Sequence, residues 1–285
     1  MKKILILSGK GGTGKTTVAS NFINISQSRV FADCDVEAPN LHLVSMVKSE
    51  KKRENYYGLD KSIINQDLCL KCGLCKEACK FNAINFQDNK YVIDKYSCEG
   101  CGVCNFVCPA NAIDSYQSID GEIILYEEDK IFSTAKLKMG SGNSGLLVTK
   151  VKKELQSHLK EDDLVIIDGP PGIGCPVIAS MSGVDIILLV AEPSVSGISD
   201  LKRIIKTANS FHIKIAICIN KFDLNKKLTK GIIKFVQENN YNFVGKISYN
   251  TEISKSINEG KFLDQNSHIF KEIENVYNNT IELLN

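Results

Sequence analysis

Two groups of residues in this 285-residue chain have the types and spacing to do chemistry. The first is Gly9, Lys10, Gly11, Gly12, Thr13, Gly14, Lys15, Thr16 and Thr17, in which GKGGTGKT satisfies GxxxxGK[ST]. The glycines let backbone N–H groups turn inward on a phosphate chain, Lys15 reaches the β- and γ-phosphates, and the Thr16 hydroxyl ligates Mg2+. The second group is eight of the eleven cysteines. Cys69, Cys72, Cys75 and Cys79 form CxxCxxCxxxC, and Cys98, Cys101, Cys104 and Cys108, followed by Pro109, form it again. So many grouped thiols in a chain read as cytoplasmic point to a metal or cluster, because the reducing cytosol disfavours disulfides.

Acids at strand ends complete the phosphate chemistry. A strand over residues 29–33 ends in Asp33, Cys34 and Asp35, where an acid beside the phosphate loop is placed to hold Mg2+ or its water. Residues 164–167 form a second apolar strand, which ends in Asp168, Gly169, Pro170, Pro171 and Gly172. This is the Walker B pattern, with Asp168 holding the Mg2+ water. Further on, Asn220, Lys221, Phe222 and Asp223 follow another strand. An asparagine here meets the base in P-loop proteins, and NKxD is also the guanine signature of GTPases, so Asp223 leaves GTP open beside ATP.

The elements that must position these groups alternate in type. An apolar strand over 4–7 precedes the loop, and Val18, Ala19, Phe22 and Ile23 at helical spacing put the phosphates on a helix N-terminus. Strands over 185–191, 213–219 and 243–247, a helix over 197–210 and amphipathic helices to residue 284 predict a mostly parallel, doubly wound α/β sheet. Residues 121–126 read as a short strand or hairpin and residues 48–55 as a polar linker. Residues 139–147, MGSGNSGLL, form a glycine and serine loop leading into a helix through His158, where capping that helix and making a functional contact are equally open.

The second cysteine set is the first shifted by 29 residues, and Asn82, Ala83, Ile84 recur as Asn111, Ala112, Ile113, which marks an internal duplication. A duplicated unit has its ends close together and is easily inserted in a host loop. The expected domains are therefore 1–57 with 119–285, interrupted by 58–118.

Bulk properties exclude other classes. The net charge is +2, and the longest basic run is Lys51, Lys52, Arg53, so neither nucleic acid nor an anionic membrane is an expected partner. The N-terminal apolar stretch is too short for a leader or a span, which implies a cytoplasmic protein. Cys34 and Cys218 sit in or next to apolar strands and read as small buried residues. The four histidines, His42, His158, His212 and His268, are scattered.

Each cysteine copy resembles the bacterial ferredoxin run, in which three closely spaced thiolates hold one cluster and the fourth ligates the other. The resemblance implies one [4Fe-4S] cluster on Cys69, Cys72, Cys75 and Cys108 and a second on Cys98, Cys101, Cys104 and Cys79. Zinc is the competing ligand, but it favours two separated pairs over three cysteines at successive +3 steps. Gly73 and Gly102 suit close approach of backbone to a cluster, while Lys80 departs from the pattern, which has proline there.

Lys10 makes the loop read KGGxGK[ST], which resembles the deviant Walker A family of MinD, the partition ATPases and the nitrogenase iron protein. That likeness implies that Lys10 crosses a nucleotide-dependent homodimer interface to the partner's nucleotide. It also makes Asp35 the orienter of the attacking water, Asp33 a structural acceptor, and Gly169 and Gly172 sensors of γ-phosphate. In the iron protein a cysteine near the position of Cys175 ligates a shared cluster. The companion position here is Asn143, so one of two such ligands is missing.

P-loop, DCDVEAPN, duplicated cysteine run, DGPPGIGCPV and NKFDLN in this order resemble MinD-superfamily P-loop ATPases with an inserted dicluster ferredoxin domain. The implied function is a dimeric ATPase, slow without a partner because no arginine finger is evident, whose nucleotide state controls electron transfer to an unidentified redox or client protein. Its cofactors would be ATP, Mg2+ and two [4Fe-4S] clusters, and exposed cubanes would require oxygen-poor conditions. A cluster or metal carrier is the alternative, weakened by the lack of a second free cysteine beside Cys175. A MinD-like positioning ATPase is weakened by residues 281–285, which carry no lysine or arginine.

Overall fold

The computed structural model describes residues 1–44 and 51–284. In chain order it has β1 (Lys2–Ser8), α1 (Lys15–Ser26), β2 (Val30–Asp33), a single 3-10 turn (Leu41–Leu43), β3 (Lys51–Tyr57) and β4 (Lys61–Ile64). Then come α2 (Leu74–Ala78), β5 (Ile84–Gln87), β6 (Lys90–Ile93), α3 (Val103–Phe106), β7 (Ile113–Tyr116), β8 (Ile119–Glu127) and β9 (Ile131–Leu137). The remainder is α4 (Ser144–Gln156), β10 (Leu164–Pro171), α5 (Cys175–Met181), β11 (Ile186–Ala191), α6 (Val195–Asn209) and β12 (Lys214–Asn220). It closes with α7 (Lys226–Glu238), β13 (Asn242–Ile247), α8 (Thr251–Asn258) and α9 (His268–Glu282).

Nine strands form one sheet in the order β13-β12-β11-β1-β10-β2-β9-β8-β3. From β13 to β9 every pairing is parallel, and β8 and β3 add an antiparallel edge. The sheet is α/β and mostly parallel, with helices on both faces. Alternation along β1 shows why: Ile4 and Ile6 face a core built with Val18 and Phe22 of α1 and Ile273 of α9. Leu5 and Leu7 face the opposite core, built with Leu147 of α4, Val177 of α5, Leu201 of α6 and Ile232 of α7. A strand buried on both sides needs an unbroken apolar run, which is what makes β1, β10, β11 and β12 legible.

The antiparallel edge differs from the sequence expectation. Of the expected linker over 48–55, residues 48–50 lie outside the described residues, while β3 is a strand paired along β8. Its charges are those of an edge: Lys52 pairs with Glu127 across the ladder, and Arg53 with Glu122 at 2.8 Å. Charges there discourage pairing with another chain. β9, which extends the parallel sheet beyond β2, has no counterpart in the expectations, because Ser133 and Thr134 occupy fully buried positions and break the apolar pattern.

Residues 58–118 contribute nothing to the large sheet. Their strands form two small antiparallel ladders, β4 with β7 and β5 with β6. Between them sit the short helices α2 and α3, each entered through a glycine in the left-handed region, Gly73 at φ 81° and Gly102 at φ 72°. Among the described residues, no helix is long and apolar enough to cross a membrane.

Candidate functional site

The phosphate loop leaves β1 and enters α1 at the carboxyl end of the sheet, beside a cleft of about 540 Å³. Gly14 must be glycine: it has φ 89°, and a Cβ would lie 2.2 Å from the Asn220 side-chain nitrogen. That amide donates to the Thr13 carbonyl at 2.7 Å, tying the end of β12 to the loop. Gly9 is equally constrained, because a Cβ there would be 2.2 Å from Cβ of Asp200 on α6.

Behind the loop lies a buried polar group. Lys15 Nζ is 2.6 Å from Asp168 Oδ1, and the Thr16 hydroxyl donates to Asp168 Oδ2 at 2.6 Å. Burial works to lower the Lys15 pKa, but the Asp168 carboxylate outweighs it, so the ammonium is held above its ordinary value. Asp33 accepts backbone N–H bonds from Asp35 at 3.0 Å and from Asn40 and Leu41 at 2.9 Å each, which makes it the anchor of the turn after β2. Burial, and secondarily Asp168, push its pKa up to about 7 against Lys15 and these donors. Asp35 lines the cleft, its pKa raised chiefly by burial.

Oxygen donors of this kind fit Mg-nucleotide. Among the described residues no set of three His, Cys, Asp or Glu side chains could hold a metal ion alone. Mg2+ does not require one, since it takes one or two protein oxygens and completes its shell with phosphate and water. Thr16 and Asp35 line the cleft and would be the groups to hold it, with Asp168 behind Thr16, accepting its hydroxyl. Thr13 supports the fit, because its hydroxyl is buried without a hydrogen-bond partner at the floor of the cleft.

Lys10 points away from the cleft. Its Nζ is 2.9 Å from Glu192 Oε1 and 3.2 Å from the Ser194 hydroxyl, and Lys221 also reaches Glu192, at 3.3 Å. These two cations hold the Glu192 carboxyl below its ordinary pKa despite burial.

Asn220 and Lys221 line the cleft and Asp223 does not. The Asp223 carboxylate instead accepts the Tyr249 backbone N–H at 2.7 Å. The cleft is also lined by Tyr249, Asn250 and Ile253, which sequence reasoning passed over because the turn after the last strand carries no phosphate or metal signature.

The eight cysteines separate into two sets, each around its own small cavity. Cys69, Cys72, Cys75 and Cys108 line one, and Cys98, Cys101, Cys104 and Cys79 line the other, so every set takes three thiols from one copy and one from its duplicate. All eight are free thiols. The Ala83 N–H donates to Cys79 Sγ at 3.4 Å, and its duplicate, Ala112, donates to Cys108 Sγ at 3.3 Å. Amides aimed at sulfur stabilise thiolate charge.

The remaining thiols divide by burial. Cys34 and Cys218 are buried, and burial pushes both pKa values up to about 12. Cys175 is exposed at the start of α5. Asn143 precedes α4 with φ 64° and makes no side-chain capping bond, so the capping role considered for this loop is not what its asparagine does.

The CobQ/CobB/MinD/ParA nucleotide binding domain matches residues 4–263 of the chain. The uncharacterized protein MJ0578 of Methanocaldococcus jannaschii is 35% identical over 294 residues, covering 99% of this chain and 97% of its own length. The uncharacterized ATP-binding protein MJ0823 of the same organism is 28% identical over 298 residues, covering 99% and 98%. Among solved structures, MinD of Pyrococcus horikoshii OT3 complexed with Mg-ADP matches with a TM-score of 0.59 at 17% identity, covering 99% of this chain and 96% of that one. Likeness at that identity concerns the fold.

Proposed function

The chain belongs to the CobQ/CobB/MinD/ParA nucleotide-binding family, and from that premise we propose a nucleotide-switched homodimer whose ATP state gates electron transfer through two [4Fe-4S] clusters held by residues 58–118. The observation that carries the redox half is the partition of eight free cysteines into two four-thiol cavities in the same chain as a complete phosphate loop. Zinc suits these cavities less well, because thiolates around one ion sit about 2.3 Å from it. A cubane spreads its four ligands over the corners of a larger body, and it supplies reversible one-electron storage.

In the nucleotide half, the loop amides and Lys15 bind the phosphates, and Thr16 with Asp168 orients Mg2+. Asp35 positions the attacking water. Lys10 exchanges its own Glu192 for the partner's nucleotide as the dimer closes. Loss of γ-phosphate then relaxes the segments after β2 and β10. The acceptor of the electrons is a separate redox protein.

A positioning ATPase of the MinD and ParA type is the second reading, favoured by full-length structural similarity to MinD. Anaerobic purification followed by iron and sulfide analysis separates the two. The redox proposal expects about eight iron atoms and eight sulfides per chain, and about half of each once Cys72 and Cys75 are both replaced by serine. A protein that hydrolyses ATP but binds neither iron nor sulfide would leave the positioning reading in place.

A further inference from the structure

The two cysteine sets are related by duplication, but they are not equivalent in what surrounds them. Glu99 lines the cavity of Cys79, Cys98, Cys101 and Cys104. Its duplicate position, 29 residues earlier, is Leu70, which lines the other cavity. One set therefore has a carboxylate where the other has an apolar side chain.

Glu99 is also where residues 58–118 meet the loop that leads to α4. A Cβ on Gly142 would lie 2.2 Å from Glu99 Oε2, so the carboxylate rests on a backbone position that only glycine leaves open. Two residues away, a Cβ on Gly140 would be 3.2 Å from the ring of Tyr96. At the far end of the same loop, a Cβ on Gly145 would be 3.3 Å from the Cys175 carbonyl oxygen and 3.4 Å from its Cβ. Cys175 opens α5 directly after the turn that follows Asp168, and within that turn the Gly172 N–H donates to Ser8 O at 3.0 Å at the root of the phosphate loop. The nucleotide site is thus joined to Glu99 along the chain from Gly172 to Cys175, across the close approach of Cys175 to Gly145, along the loop to Gly142, and across to the carboxylate. The loop itself lines neither cavity; it reaches the Cys79, Cys98, Cys101, Cys104 set through Glu99, and no residue lining the other cavity is among those its glycines approach.

The loop is braced against the start of β8. The Lys138 N–H donates to Asp120 O at 2.8 Å and the Ser141 N–H to Lys138 O at 3.0 Å. Asp120, almost fully buried, accepts from the Ser118 hydroxyl at 2.6 Å and lies 3.8 Å from Lys61 Nζ. Lys61 in turn donates to Lys95 O at 2.7 Å, one residue before Tyr96.

Building on the dicluster proposal, we propose that Glu99 is the positioning residue through which nucleotide state reaches the Cys79, Cys98, Cys101, Cys104 cluster, and that this cluster alone responds to nucleotide. A negative charge beside a cluster opposes addition of an electron, so its distance sets the reduction potential. Movement of the segment after β10 is passed by Gly145 and Gly142 to the carboxylate. Leu70 offers the other cluster no charge to move.

The test is a redox titration followed by EPR on the intact iron-loaded protein, with ADP and with a non-hydrolysable ATP analogue. Wild type should show one cluster whose midpoint potential differs between the two nucleotides and one whose potential does not. Glu99→Gln should raise the potential of the responsive cluster and abolish its nucleotide dependence, with iron content and nucleotide affinity retained as checks of folding. Glu77→Gln, which removes an exposed carboxylate that lines neither cavity, should preserve the dependence. A nucleotide shift that survives in Glu99→Gln at wild-type size overturns the role of Glu99 and leaves the dicluster proposal standing. A wild type with two iron clusters and no nucleotide shift at all overturns both this inference and the gating it builds on.

Discussion

The nucleotide end of the sheet and the cysteine segment achieve order by different means. Around the phosphate loop, two cores cover both faces of β1, Lys15 and Thr16 both bond Asp168, and the buried Asp33 is held by three backbone N–H groups. The four buried apolar residues at the heart of residues 58–118 are Ile64, Cys75, Ile84 and Ile113, one of them a proposed ligand. Large side chains there face solvent, with Phe106 at 92% and Leu70 at 69% exposure. A unit this small gains little from apolar burial and relies on a metal or cross-links. On the dicluster proposal, one region is built before its ligand arrives and the other is built by it.

The largest effect should come from removing iron. Anaerobic chelation should lower amide-exchange protection in β4 to β7 by at least about 100-fold, while β1, β10 and β11 keep theirs. Equal protection in the two forms would mean that the cysteine segment holds itself together. On the other side of the comparison, Lys15→Met leaves Asp168 buried and unpaired. It should destabilise the chain by about 3–5 kcal/mol in urea unfolding and remove nucleotide binding. A loss below about 1 kcal/mol would show that Lys15 and Asp168 are not an internal pair.

Thiol chemistry sharpens the contrast further. Raised pKa values keep Cys34 and Cys218 protonated, so at pH 8 only about 1 part in 10⁴ of each is thiolate. Iodoacetamide on the iron-loaded protein should therefore modify Cys175, which is exposed, and spare both buried thiols; chelation should add Cys72 and Cys101. Modification of Cys34 at the rate of Cys175 would contradict its burial.

The smallest effect concerns Asp223. Losing its bond to the Tyr249 N–H should cost about 0.5–1.5 kcal/mol and leave the preference between ATP and GTP unchanged. A tenfold change in that preference would return Asp223 to the base.

What was legible in the sequence divides along the same line. The phosphate loop, the Asp168 strand and the central strands announce themselves because backbone approach to phosphate demands glycine, and double burial demands apolar runs. Spacing shows that the cysteine run is duplicated, and the exchange of the fourth cysteine between copies comes from the resemblance of each run to bacterial ferredoxins. β9 stayed hidden behind Ser133 and Thr134, and β3 behind its charges, since edge strands are selected for what they avoid. Glu99, Gly142 and Glu192 carry no local signature: their roles exist only where distant segments touch. NKxD pointed to Asp223, and the motif says nothing of the Tyr249 N–H that its carboxylate accepts outside the cleft lining.

The central claim, that nucleotide state governs the clusters, is tested most directly by the reoxidation rate of dithionite-reduced protein, followed by stopped flow with an artificial acceptor. Samples without nucleotide, with ADP and with a non-hydrolysable ATP analogue should give different rates. The difference should disappear in Lys10→Ala, which on this account still binds nucleotide and no longer closes the proposed dimer. Identical rates and identical potentials in all three states would contradict the account.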